Sequence, residues 1–533
     1  MIVDLAEQPS DHRIETDLCV IGGGAAGLAI AWYFRSRSDR EVVVLESGGV
    51  DFEPDVQDLY AGELTGQRYY DLDVDRLRML GGSTNNWGNQ VGPFEPIDFE
   101  ARPWIPHSGW PIVRADLDPW YRQAVEYFGL GAYDFDDLEG WQRQDPSLEP
   151  VALTGTPVFS KTWRVCMPAF LAGERHRVLF EQLAHLKLYL HACVTRISLS
   201  ENGRAVQSVE ATSLNGRRVT VHARRVVLAA GAIENARLLL TNDDVMPAGI
   251  GNQRDLVGRF FMDHIAFWSG HVTPRADVRL DAYDDIGPST GGRFGRALCF
   301  YIDKAAQRAN EIGVVRLKLD VEAGAYSRGA QSLSKLRREL ARGDFSSVHE
   351  HIADVFLDAP GVATSLYGRA VGRRPSRCLT MVEPFPNPDS RVTLTSDHDA
   401  LGMRRVRLHW VVTDAERRTL RRAQEVFADA FAAAGVARLK MDTDFLEADW
   451  SRLAPREVVF EGSHMEGGHH HAGTTRMASS PDQGVVDADC KVFGLANLYV
   501  AGNSVFPTAG SLNPTFTIVA LTLRLADHLD GSG

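Results

Sequence analysis

The chain has 533 residues, 44% hydrophobic and 24% charged, with a formal net charge of −13. Such a length fits about two to four globular domains, and the acidic balance without a long basic run argues against nucleic acid as a partner. No stretch approaches the roughly 18 uninterrupted apolar residues of a membrane span, so no membrane partner is expected.

The polar, acidic N-terminus has no basic region followed by an apolar one, so it reads as no signal peptide. Residues 17–22 (DLCVIG) form a short apolar run ending in glycine, a buried strand. AAGLAIAWYFRSR follows with helical periodicity, and EVVVLESGG gives a second strand ending at Glu46. Residues 60–112 are loop-rich, with Gly-Gly-Ser-Thr-Asn-Asn-Trp-Gly at 81–88. Residues 114–128 read as a helix with Asp116 or Asp118 as cap. Alternating stretches over 187–228 read as an antiparallel ribbon that returns to a parallel strand, after which AGAIENARLLLTN starts a helix.

Residues 265–320 alternate as strands do, and 330–372 are charged and helical, an insertion that forms an arm or lid. PNPDSRVTL at 386–394 is a turn into a strand. Residues 413–435 make a strongly amphipathic helix with Thr413 or Asp414 as cap and Gly435 as stop. NLYVAGNSVFPT is a strand and loop, and NPTFTIVALTLRLADHL a closing helix. The six cysteines, Cys19, Cys166, Cys193, Cys299, Cys378 and Cys490, are scattered with no C-x-x-C, which reads as buried, reduced thiols in a cytoplasmic protein.

Two constellations carry chemistry. The first is Gly22-X-Gly24-X-X-Gly27, between a strand and a helix, with Glu46 ending the next strand. Gly22 suits the sharp turn, Gly24 the approach of backbone amides to a pyrophosphate, and Gly27 close helix–sheet packing. The helix N-terminus offers amide donors and partial positive charge to phosphates, and Glu46 can accept from a ribose hydroxyl. The junction Ala229-Ala230-Gly231 can bring more backbone to the same nucleotide. The motif alone leaves NAD and FAD open.

The second is His469-His470-His471, followed later by Asn513 in Ser-Leu-Asn-Pro-Thr. A histidine run reads as exposed surface, as unrelated core contacts, as a zinc site or as one general base. Adjacent side chains do not converge on one ion in a regular element, and no Cys or carboxylate has ligand spacing, so no metal is expected. Asp263 and His264 read as structural ion-pair partners. Asn503, Asn85 and Asn86 are each either turn residues or cofactor contacts.

These pieces resemble the glucose–methanol–choline (GMC) flavoprotein oxidoreductases over nearly the whole chain. The matching stretches are Val20–Gly27, Leu80–Ser83, Leu228–Asn235, Asn252–His264, Pro386–Leu394 and everything from His470 onward. The C-terminal half is most similar to the branch of pyranose oxidases and bacterial glycoside 3-oxidases or dehydrogenases. The resemblance implies an α/β chain with a Rossmann-type FAD-binding domain and an antiparallel-sheet substrate domain. It places the FAD domain at about 1–100, 190–265 and 465–533, and the substrate domain at about 101–189 and 266–464.

The resemblance also implies oxidation of a secondary hydroxyl of a sugar or glycoside by hydride transfer to flavin N5. His470 is then the base and Asn513 its hydrogen-bonding partner. A non-sugar alcohol, or lyase chemistry of the hydroxynitrile lyase type, remains as an alternative. Oxygen or a quinone is the expected acceptor, and a homo-oligomer is left open. Cofactor contacts are expected from Gly22, Gly24, Ala25, Ala26, Gly27, Glu46, Ser47, Gly82, Ser83, Asn85, Asn86, Trp87, Gly88, Val194, Ala230, Gly231, Asn503, Pro514 and Thr515. One departure matters. Pyranose oxidases often link FAD through a His just before the Trp of this loop, where this chain has Asn86, so noncovalent FAD is expected.

Overall fold

A computed structural model describes the chain apart from residues 10, 68, 134, 136, 145–148, 284–286, 289–293, most of 321–347, most of 360–375, 442–464 except 447, and 532–533. Most of the expected insertion at 330–372 therefore lies outside the described residues; within it, Val348–Leu357 is a helix.

The apolar runs read as buried strands form one sheet. Its parallel strands lie in the order Ile2–Asp4, Leu186–Leu190, Val42–Leu45, His12–Ile21 and Arg218–Leu228, with Leu498–Val500 pairing on the last. The ribbon Cys193–Leu199 and Val206–Thr212 joins antiparallel, as the alternation predicts. The strand expected at 17–22 is longer, His12–Ile21, because its first half alternates exposed and half-buried residues and carries no continuous apolar signal. The helices Ala25–Phe34 and Thr515–Gly531 pack together against this sheet. The first is apolar all round, with every residue from Ala26 to Phe34 buried.

A second, antiparallel sheet has the order Ala437–Met441, Ile265–Pro274, Ser376–Val382, Val315–Asp320, Phe294–Ile302, Val158–Cys166 and Gln90–Val91. The strand Val158–Cys166 carries no expectation from sequence, yet it pairs along the whole of Phe294–Ile302. The helix Asp414–Ala433 crosses this sheet, its Gln424 donating to Thr380 at 2.8 Å and its Phe431 ring 4.9 Å from that of Phe300. Thr413 caps it, accepting from the Ala415 amide while Glu416 accepts from Thr413. In the helix Arg114–Phe128 neither expected residue is the cap. Asp116 sits one turn in and accepts from the Val113 amide at 2.9 Å, and Asp118 pairs with Arg114.

In a third, small sheet Arg404–Trp410 is the central strand, between Arg391–His398 and Gly62–Gly66, the last within the stretch expected to be loop. All six cysteines are buried and unpaired, as expected. Among the described residues, no helix is long and apolar enough to cross a membrane.

Candidate active site

A cavity of about 700 Å³ opens where the carboxyl ends of the parallel strands meet the face of the second sheet. This is the crevice in which open α/β sheets hold ligands. The strands His12–Ile21 and Arg218–Leu228 are neighbours, and their following turns, Gly22–Gly24 and Ala229–Gly231, both border it. The second sheet contributes Ala266, Leu379 and Met381. All the residues expected to touch cofactor or substrate line this one cavity except Gly27 and Asn85.

The glycine loop fits a pyrophosphate. A Cβ on Gly24 or on Gly231 meets no protein atom within 4 Å, so both backbones face open cavity. A Cβ on Gly22 would lie 2.6 Å from the Ala229 carbonyl oxygen, and one on Gly27 would run into the carbonyl of Gly22. Gly27 therefore serves packing rather than lining, which explains its place outside the cavity wall. Gly24 precedes the helix Ala25–Phe34, whose first amides point towards the cavity with their partial positive charge.

Glu46 accepts from the Gly23 amide at 2.6 Å and the Gly48 amide at 2.9 Å, and so ties the loop to the next strand. Burial raises its pKa against those hydrogen bonds. Asn85 turns its amide back to the Leu80 carbonyl at 2.8 Å, acting as a turn residue, whereas Asn86 is exposed to the cavity. The far end carries a cluster that sequence reading missed. Arg76 and Arg78 reach Glu234 at 3.3 and 2.9 Å, and Arg237 reaches Asp399 at 2.7 Å. These residues are scattered along the chain, so no local motif marks them.

At the other end the histidine triplet splits into two roles. The bridge between Met262 and Ala472 fixes the segment beside Asp263 and His264. Asp263 accepts the His470 amide at 2.6 Å and the His469 amide at 3.2 Å, and the Tyr69 hydroxyl at 2.5 Å. Asp263 and His264, read from sequence as partners of each other, thus each hold something else. His469 has a left-handed φ of +55°, so the chain turns within the triplet. His469 and His471 both approach Asp75, and His470 faces the cavity.

His470 Nε2 lies 3.2 Å from Asn513 Nδ2. Its Nδ1 lies 2.8 Å from His264 Nδ1. Burial, with the charge of Arg316 adding to it, pushes its pKa well below the ordinary histidine value. The imidazole is thus neutral at neutral pH and able to accept a proton. Arg316 donates to Asn513 Oδ1 at 3.4 Å. Its strand register places it opposite Met381, which in turn lies opposite the cavity-lining Ala266.

A sequence profile described as GMC oxidoreductase matches residues 386–522, and one described as FAD dependent oxidoreductase matches residues 17–249. The chain belongs to the GMC oxidoreductases. It is therefore an FAD-dependent oxidoreductase of CH–OH groups. This GMC oxidoreductase is 25% identical to the 6'''-hydroxyparomomycin C oxidase of Streptomyces lividus, over 96% of this chain and 92% of that protein. It is 28% identical to the C-glycoside 3-oxidase of Microbacterium trichothecenolyticum, over 64% of this chain and 53% of that protein. Its fold matches pyridoxine 4-oxidase from Mesorbium loti with a TM-score of 0.57 at 18% identity, covering 96% of this chain and 99% of that one.

Proposed function

We propose that this enzyme oxidises a secondary hydroxyl of a sugar or glycoside to a ketone, with His470 as general base and Asn513 as hydrogen-bond donor. The observation that carries the reading is the 3.2 Å approach of His470 Nε2 and Asn513 Nδ2, both lining the cavity that also holds the glycine cradle. Removing two electrons from a carbinol separates a proton on oxygen from a hydride on carbon. FAD, when bound, supplies the acceptor for that hydride. His470 Nε2 takes the hydroxyl proton as the C=O bond forms, and Asn513 Nδ2–H donates to the oxygen while it carries negative charge. The sheet face at Ala266, Leu379 and Met381 closes the other side of the substrate and excludes water.

The residues offered as cofactor contacts are Gly22, Gly24, Ala25, Ala26, Glu46, Ser47, Gly82, Ser83, Asn86, Trp87, Gly88, Val194, Ala230, Gly231, Asn503, Pro514 and Thr515, because each borders the cavity. Asn86 offers no nucleophilic nitrogen for a flavin link, so FAD is held noncovalently. The FAD domain is assigned to 1–100, 190–265 and 465–533. The strand Leu186–Leu190, just outside these limits, also lies in the parallel sheet. One relative is named a C-glycoside 3-oxidase and another a fructose dehydrogenase, which favours a sugar, while others are named for 2-methyl-1,2-propanediol and choline.

The test is a panel of sugars, glycosides and simple alcohols added anaerobically to the flavin-loaded enzyme, followed by flavin absorbance and then by admission of oxygen or a quinone. Bleaching by glycosides is expected. Bleaching only by non-sugar alcohols removes the sugar assignment, and turnover without bleaching points to lyase chemistry.

A further inference from the structure

We infer that His264 and Arg316 are positioning residues that fix the tautomer of His470 from two sides, leaving its lone pair on Nε2. The inference rests on the reading of His470 as the base, and it follows from which atoms can only donate or only accept.

His264 Nε2 lies 2.7 Å from the Gly510 carbonyl oxygen and 3.1 Å from that of Ala509. Carbonyl oxygens only accept, so Nε2 of His264 carries a hydrogen. His264 is fully buried, and burial lowers its pKa, so the ring is neutral and its Nδ1 is an acceptor. His470 Nδ1, 2.8 Å away, must then be the donor. A neutral imidazole has one N–H, so His470 Nε2 is the lone pair. The other end agrees. A guanidinium only donates, so Arg316 holds Asn513 by its Oδ1 and turns Nδ2–H₂ towards His470 Nε2. The donors thus all run one way: Arg316, Asn513, His470, His264, Gly510. With the opposite tautomer of His470, a donor would face the Asn513 amide and two lone pairs would face each other at His264.

The same line of groups handles the proton. When His470 accepts it at Nε2, the Nδ1–H becomes a stronger donor to His264, which shares the charge. His264 cannot pass a proton on, because its own N–H ends on carbonyls. The groups around His470 are His264, Arg316 and Asn513, its neighbours His469 and His471 held by Asp75, and Asp263 at its backbone.

The experiment uses holoenzyme with ¹⁵N-labelled histidines. In the wild-type protein, NMR of the His470 ring, assigned by its loss in His470→Ala, should place the hydrogen on Nδ1. A hydrogen on Nε2 overturns the inference without any further variant. His264→Gln keeps an acceptor and a donor and should hold both the tautomer and the rate of flavin reduction within about threefold of wild type. His264→Leu, checked for full FAD content, should mix the tautomers and slow reduction about tenfold or more, since tautomer control is worth up to roughly 10,000-fold in hydrolase triads. Its acid limb should move to lower pH, because the His470 cation loses an acceptor, while KM stays within about threefold. A wild-type tautomer and pH profile in His264→Leu would leave His264 a packing residue. Failure of the base assignment reads differently: His470→Ala would then reduce flavin at the wild-type rate, whatever the tautomer.

Discussion

His469 and His471 share the carboxylate of Asp75, one on each oxygen. All three rings border the cavity, but the residue between them in sequence is the one that meets Asn513. His470→Ala should keep its FAD but slow flavin reduction by substrate roughly 100- to 10,000-fold, the span for loss of a general base. His469→Ala, at a side chain 47% exposed, should lose far less. His471→Ala should chiefly lower the melting temperature, since it strips a partner from a fully buried carboxylate. Anaerobic stopped-flow on the three variants separates these outcomes. Equal losses at all three positions would mean that the cluster works as a scaffold.

Asp75 gives that scaffold a pH dependence. Burial alone would raise its pKa, but His471 and His469 hold it well below the usual carboxylate range. A carboxyl with a depressed folded pKa contributes stability that is fully present above its unfolded value, about 3.9, and is lost as pH falls through the folded one. Asp75→Asn should therefore be less stable than wild type at pH 7, and the difference should shrink on acidification below about pH 4. Thermal melts of both proteins from pH 7 down to pH 3 check this. A difference that stays constant, or widens, as the pH drops below about 4 would remove Asp75 as the source.

The sequence made the nucleotide loop legible because its physics is local. Gly22, Gly24 and Gly27 lie within six residues of one another, and the strand before and the helix they lead into are apolar runs. His470 and Asn513 were legible only through resemblance, since nothing in a histidine triplet says which ring turns inward. Asp75 and Arg316 were hidden for a different reason, and His264 was read only as an ion-pair partner. Arg316 reaches the site through sheet register opposite Met381, His264 beside the bridge of Met262 to Ala472, and Asp75 from a distant loop by pairing with His469 and His471. The strand Val158–Cys166 was missed because it mixes Lys, Arg and Ser with apolar residues, and Arg164 is buried only through partners elsewhere in the chain.

Gly24 and Gly27 should fail in different ways. A side chain at Gly24 meets no protein atom, so Gly24→Val should fold and yet purify without FAD, its branches filling the space of the pyrophosphate. Gly27→Ala puts a methyl into the Gly22 carbonyl and should lower stability itself. Circular dichroism with flavin absorbance distinguishes the two. Full flavin in Gly24→Val would move the phosphate site elsewhere.

Acid precipitation should release the flavin into the supernatant, because Asn86 stands at the position where a linking histidine would be needed. About one FAD per chain should be recovered free, a stoichiometry read from a single glycine cradle. Yellow colour retained in the washed pellet would establish a covalent bond through some other side chain.

Asn513→Ala should slow flavin reduction less than His470→Ala, because it removes one donor and leaves the base. Loss of one preorganised donor to a developing oxyanion costs about 2.7–4 kcal/mol, or roughly 100- to 1,000-fold. Asn513 also stands between Arg316 and His470, so its amide is held in orientation before substrate arrives. Asn513→His offers a ring N–H in place of the amide and should recover part of the rate at higher pH, where imidazole is neutral. The losses in Asn513→Ala and His470→Ala should fail to add in the double variant, since both residues act on one oxygen. Strict additivity, with no rescue by histidine at any pH, would make Asn513 a residue that only starts the closing helix Thr515–Gly531.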